Sequence, residues 1–374
     1  MQKKTLLYVF AIAALLGLIL GAVFFANEVR LKIIQGPDKN QFVAEMNQLS
    51  LDALDKISNK KAPDPNAPDI STANTPAPTQ PASTETVLSE PKANTEVNPP
   101  VTAEKIDSFS FAILGDTQRF DSSNANGGLQ KAVKNIEGKN VGLVMTTGDL
   151  LGSCDGKSGC EKKLNEWKNT LSSLYSKTYE MMGNHDRTGA EKSDALWQKF
   201  FELPQNGPEG YKELVYSFDF QNSHFVVLNS EKPKEHAVDK TQRDWLEKDL
   251  KDSQKDNKFV FFHEPAYPVS SKIDKSLDAD APDRDALWQI LKDQKVKAVF
   301  NGHEHIQSRR KVDGVYQFVF GNTDSFDHDL PKAGVAEYSY QGEHYGIVEI
   351  KGQEVTVNVY SVDGNLLDSY KLSG

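Results

Sequence analysis

Five short polar clusters hold the residues able to do chemistry, and each follows an apolar run. They are Asp116 and Gln118 in "GDTQ", Asp149 in "TTGD", Asn184, His185 and Asp186 in "GNHD", His263 in "FFHEP", and His303 and His305 in "NGHEH". Carboxylates, amide oxygens and imidazoles together make a donor set that suits Mn, Fe or Zn. Asp116, Gln118, Asp149, Asn184, His263, His303 and His305 outnumber the roughly four ligands of one tetrahedral ion. Two divalent ions sharing a carboxylate fit this inventory better. His303 and His305 are two apart, so an extended backbone projects both to one side and Glu304 to the other. Their spacing differs from the i, i+4 histidines of a helical zinc protease.

Such residues act together only if the chain brings them to one edge. "FSFAILGD", "NVGLVMTTGD", "KTYEMMGNHD", "NKFVFFHEP" and "VKAVFNGHEH" read as strands. "GGLQKAVKNIEG", "CEKKLNEWKNTLSSLY", "DALWQKFFEL", "TQRDWLEKDLKD" and "APDRDALWQILKDQ" read as helices between them. "KELVYSFDF" and "SHFVVLNS" form an expected hairpin, and the tail from Val315 reads as further strands. Strands alternating with helices imply buried sheets covered by helices, finished by an antiparallel tail. In open α/β sheets the site forms beyond the carboxyl ends of the strands, which puts all five clusters in one crevice.

The chain has 374 residues and a formal charge of -10, and it shows no basic stretch interleaved with aromatics, so no nucleic acid binding is expected. Residues 5–26 carry no charge, long enough for a bilayer core of about 30 Å. Residues 1–30 therefore read as a single-pass membrane anchor, with a cleaved signal peptide as the alternative. Residues 31–60 suit a short amphipathic helix through Phe42, Met46, Leu49, Leu51 and Leu54. Residues 61–105 are rich in Pro, Thr, Ser and Ala and read as a disordered linker, leaving 106–374 as the globular domain. Cys154 and Cys160 close a short polar loop, which suggests a disulfide and places the domain outside the cytoplasm.

The ordered set D-x-Q, GD, GNHD, H, GHxH resembles the calcineurin-like metallophosphoesterase superfamily from about Phe109 to Gly374. That resemblance implies a four-layer α/β/β/α sandwich and a dinuclear metal site that hydrolyses phosphomonoesters or phosphodiesters. Carried over by motif, Asp116, Gln118, Asp149 and His305 surround the first ion. Asn184, His263 and His303 hold the second, with Asp149 bridging. His185 sits over the phosphate as the catalytic group, and Asp186 either holds its imidazole or caps the next helix. The chain departs from the family at Gln118, where histidine is commonest. Gly152 also departs, standing where purple acid phosphatases have tyrosine, so no purple iron site is implied. The same fold leaves open a nucleotide pyrophosphatase, a phospholipid head-group phosphodiesterase, or a metal-binding module with little turnover. His224, His236, His328 and His344 match no motif and read as structural or surface residues, with the His328 loop a candidate for the pocket rim. Arg119 and Arg187 each directly follow a motif and read as solvated surface, with contact to a substrate phosphate as the alternative.

Overall fold

The computed structural model describes residues 108–153, 159–187 and 191–373. In chain order the elements are β1 (Ser108–Leu114), α1 (Gly128–Glu137), β2 (Leu143–Thr146), α2 (Cys160–Leu171), β3 (Thr178–Tyr179), α3 (Glu191–Phe200), β4 (Tyr216–Phe220), β5 (Ser223–Val227) and α4 (Lys240–Asp252). There follow β6 (Asn257–Phe261), α5 (Ala281–Asp293), β7 (Ala298–Asn301), β8 (Gln307–Val312), β9 (Val315–Phe320), β10 (Tyr338–Tyr340), β11 (His344–Lys351), β12 (Glu354–Ser361) and β13 (Leu366–Lys371). They form a six-stranded sheet, β13-β12-β11-β1-β2-β3, and a seven-stranded sheet, β10-β8-β9-β7-β6-β5-β4. β1, β2 and β3 run parallel, as do β5, β6, β7 and β9.

Aromatic side chains join the two sheets. Phe111 of β1 has its ring 5.2 Å from Phe225 and 6.0 Å from Phe300 of the other sheet, both edge-on, an arrangement favoured by ring quadrupoles. Leu129, Ala132, Val133 and Ile136 of α1 join this core, as do Leu164, Trp167 and Leu171 of α2. A second apolar cluster packs Leu246 and Leu250 of α4, with Leu287, Trp288 and Leu291 of α5, against Val226, Val260 and Val299. Alternate side chains of β5, β6 and β7 thus serve two cores, as expected of strands buried on both faces. Mixed α/β class and two sheets agree with the sequence reading.

Two local expectations need correction. "KTYEMMGNHD" supplies only Thr178 and Tyr179 to the sheet, because Met181 N–H then donates to the Thr146 side chain at 2.8 Å instead of continuing the ladder. "QSRRKV" is strand β8, which its polar sequence hides. Arg309 makes that strand tolerable inside the protein: its guanidinium lies 3.6 Å from the Tyr370 ring and 2.8 Å from Asp368, compensating for burial of the charge.

The apolar run at 5–26, the amphipathic stretch, the linker and Cys154 lie outside the described residues. Among those described, no helix is long and apolar enough to cross a membrane.

Candidate metal centre

All five clusters sit beyond the carboxyl ends of parallel strands: Asp116 after β1, Asp149 after β2, Asn184 after β3, His263 after β6 and His303 with His305 after β7. The first two exits are sewn together, with Asp116 N–H donating to Gly148 O at 3.1 Å and Thr117 N–H to Asp149 O at 3.0 Å. Trp167 of α2 adds its indole N–H to Thr117 Oγ1 at 3.0 Å, and that hydroxyl donates to Leu150 O at 2.8 Å. Asp116, Asp149 and His303 hold left-handed backbones, with φ of 50°, 53° and 68°. Non-glycine residues in this region store strain that only a well-determined surrounding sustains. Glycine is required at two neighbouring positions. A Cβ on Gly183 would collide with the Asp149 carboxylate, and one on Gly302 with that of Asp116.

Asp116, Asp149 and His305 each present one ligand atom within 4.8 Å of the others. Asp116 and Asp149 are 0% and 1% exposed, so two carboxylates are buried together. Burial pushes Asp116 up, opposed by His305. Burial acts the same way on Asp149, but the neighbouring His263 imidazole outweighs it and holds this carboxyl below its ordinary range.

Hydrogen bonds assign the imidazole tautomers. His263 Nδ1 lies 2.7 Å from Thr147 O, His303 Nε2 lies 2.9 Å from Lys275 O, and His305 Nδ1 lies 2.8 Å from Phe326 O. Each carbonyl takes the ring N–H, as is usual around metal-ligating histidines. In the neutral rings the opposite nitrogens are then lone pairs, and all three face other acceptors. His263 Nε2 is 3.1 Å from Asn184 Oδ1 and 3.4 Å from Asp149 Oδ2. His303 Nδ1 is 2.9 Å from Asn184 Oδ1, and His305 Nε2 is 3.4 Å from Asp116 Oδ1. Burial opposes a proton on His263, yet Asp149 and Asp116 push its pKa well up. Burial and then the charge of His263 push His303 well down. A proton on His263 relieves only its own contacts, whereas cations relieve every inward-facing lone pair. The donor set fits divalent metals on its own chemistry.

Gln118 reaches the same place differently. Its Nε2 donates to Asp149 Oδ2, and its Oε1 accepts from Ser325 Oγ at 3.0 Å. Ligation through oxygen requires the amide to turn over, after which Ser325 can accept instead.

His185 flanks the cluster. Its backbone N–H donates to Asp149 Oδ1 at 2.8 Å, and its Nδ1 lies 2.7 Å from Gly152 O. Acid–base chemistry therefore falls to Nε2. Asp186 turns to the backbone: its carboxylate accepts from Gly183 N at 3.0 Å, Leu150 N at 3.1 Å and Leu151 N at 3.2 Å. Burial, and then the Asp149 charge, push Asp186 up to about 7. It ties the "GNHD" exit to the "TTGD" exit.

The expectation of an extended His303–His305 segment fails, because His303 is left-handed and the segment is a turn. The two rings consequently face different partners, Asn184 and Asp116, while Glu304 does point away and accepts from Val269 N and Ser270 N. Arg187 is not solvated surface. It pairs with Asp194 at 3.0 Å and donates to Glu231 O at 2.6 Å, with only 13% of its side chain exposed. His224 bridges Asp219 and Asp249, and His344 is fully buried, both structural as expected. His328 lies over the His305 ring at 4.0 Å, and its Nδ1 accepts His305 N–H at 3.0 Å. Ser325 and the Lys275 carbonyl escape sequence reading, since nothing in their identity signals a role.

Residues 109–307, more than half of the chain, match the calcineurin-like phosphoesterase family. No curated protein matches the sequence. Among solved structures, a purple acid phosphatase from yellow lupin seeds shares 15% identity and a TM-score of 0.62, covering 72% of this chain and 54% of its own. This chain thus spans about half of the lupin chain. A dimetal phosphatase from Danio rerio has 15% identity, a TM-score of 0.51 and coverage of 71% and 98%. GAP50, the anchor in the inner membrane complex of Plasmodium, has 17% identity, a TM-score of 0.51 and coverage of 71% and 89%. These likenesses concern the fold; the family match over more than half of the chain makes it a member of the calcineurin-like phosphoesterase family.

Proposed function

We propose that this chain is a membrane-anchored, metal-dependent phosphoesterase that holds two divalent cations on a four-layer α/β/β/α frame. The first set of ligands is Asp116, Gln118, Asp149 and His305; the second is Asn184, His263 and His303, with Asp149 shared. The observation that carries this reading is the convergence of half-buried Asn184 and buried His263, His303 and His305, through inward-facing ligand atoms, on two buried carboxylates. Divalent cations bound there supply Lewis acidity toward phosphoryl oxygens and water.

The chain's own groups do the rest. The Gly152 carbonyl fixes the His185 ring, which aims Nε2 as a proton donor and a hydrogen-bond partner for charge developing on the phosphoryl group. In the balanced reaction, water oxygen joins phosphorus and the bond from phosphorus to the leaving oxygen breaks. One water proton is released, and the leaving oxygen takes a proton from His185. Asp186 keeps two loops in register, and Thr147, Lys275 and Phe326 carbonyls keep three imidazoles in ligating tautomers.

The anchor rests on residues 5–26, and an oxidising location is supported by Cys160, which is not a free thiol. Purified protein loaded with manganese should hydrolyse 4-nitrophenyl phosphate or its bis-ester, and His185→Ala should abolish most of that activity while metal content persists. Bound metal without turnover of any monoester or diester would instead favour a binding module. Protease shaving of intact cells tests the proposed location.

A further inference from the structure

Phe326 is the most exposed large apolar side chain among the described residues, at 65%. Its backbone is nevertheless fixed. Phe326 O lies 2.8 Å from His305 Nδ1, while Ser325 Oγ lies 3.0 Å from Gln118 Oε1 and 3.2 Å from His305 Nδ1. Arg119, next to Gln118, donates its backbone N–H to Asp324 O at 2.9 Å and a guanidinium N–H to Ser325 O at 3.3 Å. Its guanidinium carbon lies 4.7 Å from the Phe326 ring centroid, a cation–π distance. A phenyl ring is thus held in water one residue from groups of the metal cluster, with a cation backing it.

The surroundings share this character. Of the five exposed large apolar residues described, Ile273, Phe326, Leu330 and Val335 belong to the two segments that supply the Lys275 and Phe326 carbonyls to His303 and His305. Those segments are joined by a hydrogen bond from Ser270 Oγ to Asp329 O. Exposed apolar side chains concentrated beside a hydrolytic centre mark a place where a ligand is received.

We propose that Phe326, backed by Arg119, is a stacking platform for the leaving group of the substrate, so that phosphoesters with a planar aromatic leaving group are preferred. This rests on the phosphoesterase reading. Stacking on an exposed aromatic is sequence- and substituent-tolerant because every planar ring offers a π face. The occupant is therefore an aryl group or a nucleobase, in preference to a polyol or an alkyl chain.

The test compares manganese-loaded wild type with Phe326→Ala, Phe326→Leu and Phe326→Trp on 1-naphthyl phosphate, octyl phosphate, glycerol 3-phosphate, AMP and ribose 5-phosphate. These variants keep the Phe326 carbonyl that His305 uses. The naphthyl-to-glycerol ratio of kcat/KM should fall about tenfold in Phe326→Ala and Phe326→Leu and persist in Phe326→Trp, as expected for loss of one stacking contact. A parallel fall of AMP against ribose 5-phosphate supports a nucleobase as occupant, and a fall confined to naphthyl supports a simple aryl ester. Unchanged ratios in Phe326→Ala overturn the proposal, as does an octyl-to-glycerol ratio that falls equally. Binding of non-hydrolysable 1-naphthylphosphonate should weaken about tenfold in Phe326→Ala. That measurement separates the two readings: absent turnover sinks the phosphoesterase, whereas equal phosphonate binding sinks the platform.

Discussion

His303 Nδ1 lies 2.9 Å from Asn184 Oδ1 while its other nitrogen is engaged by Lys275 O, so two lone pairs face each other across a partly buried contact. Such an arrangement is unfavourable unless a cation lies between them, and binding a cation to the native state alone stabilises it by mass action. Manganese or zinc at about 100 times its dissociation constant contributes about 2.7 kcal/mol. Added metal should therefore raise the Tm by roughly 5–10 °C, and a chelator should reverse the gain. Asn184→Ala should lose about one bound ion per chain by metal analysis, because it removes an atom offered to a single site. A metal-independent Tm would contradict the assignment.

His185 differs from the ligands in what its loss should change. Its backbone N–H donates to Asp149, and that bond survives removal of the side chain. His185→Ala should lower kcat by about 10²- to 10⁴-fold, the usual contribution of a positioned general acid, with metal stoichiometry retained. Loss of metal together with activity would place His185 among the ligands instead.

Asp186 presents the opposite case. Its carboxylate receives three backbone N–H groups, from Gly183, Leu150 and Leu151, all buried. Asp186→Ala leaves those donors without their partner, and an orphaned buried donor costs about 1–3 kcal/mol. A stability loss of roughly 3–5 kcal/mol should appear in denaturant unfolding, with weaker metal binding as the two loops loosen. A stable variant impaired only in kcat would restore Asp186 to the role of holding the His185 imidazole, which its place in the sequence suggests.

The ligand residues are legible in the sequence because chemistry restricts them to a few types, and because each follows an apolar strand that points its end at a common edge. Asp116, Asp149 and His263 announce themselves in this way. Their supports do not. The carbonyls of Thr147, Lys275 and Phe326 orient the imidazoles, and a carbonyl is present whatever the side chain, so no residue type signals it. Positive φ at His303 likewise follows from the surrounding packing, and it overturns the period-two reading of "HEH". Polar β8 hides for a related reason. Its arginine becomes compatible with burial only through Asp368 and Tyr370, about sixty residues away in the other sheet.

Glu180 offers a test independent of the metal centre. Its side chain is 3% exposed, its Oε1 has no hydrogen-bond partner, and it lines a cleft of about 280 Å³ with Lys168, Tyr175 and Glu202. Burial pushes its carboxyl from 4.5 up to about 8, with Lys168 opposing only in part. Between those two values the native state holds a proton that the unfolded chain has released. Stability from this group is therefore complete below about pH 4.5 and declines as pH rises toward 8. Glu180→Gln keeps the shape of the protonated acid and removes the titration. The variant should match wild type at pH 4.5 and exceed it by on the order of 3 kcal/mol at pH 8, read as a Tm gain of roughly 5–10 °C. Identical pH–stability curves for the two proteins would show that Glu180 is ionised and solvated in the fold, contrary to its burial.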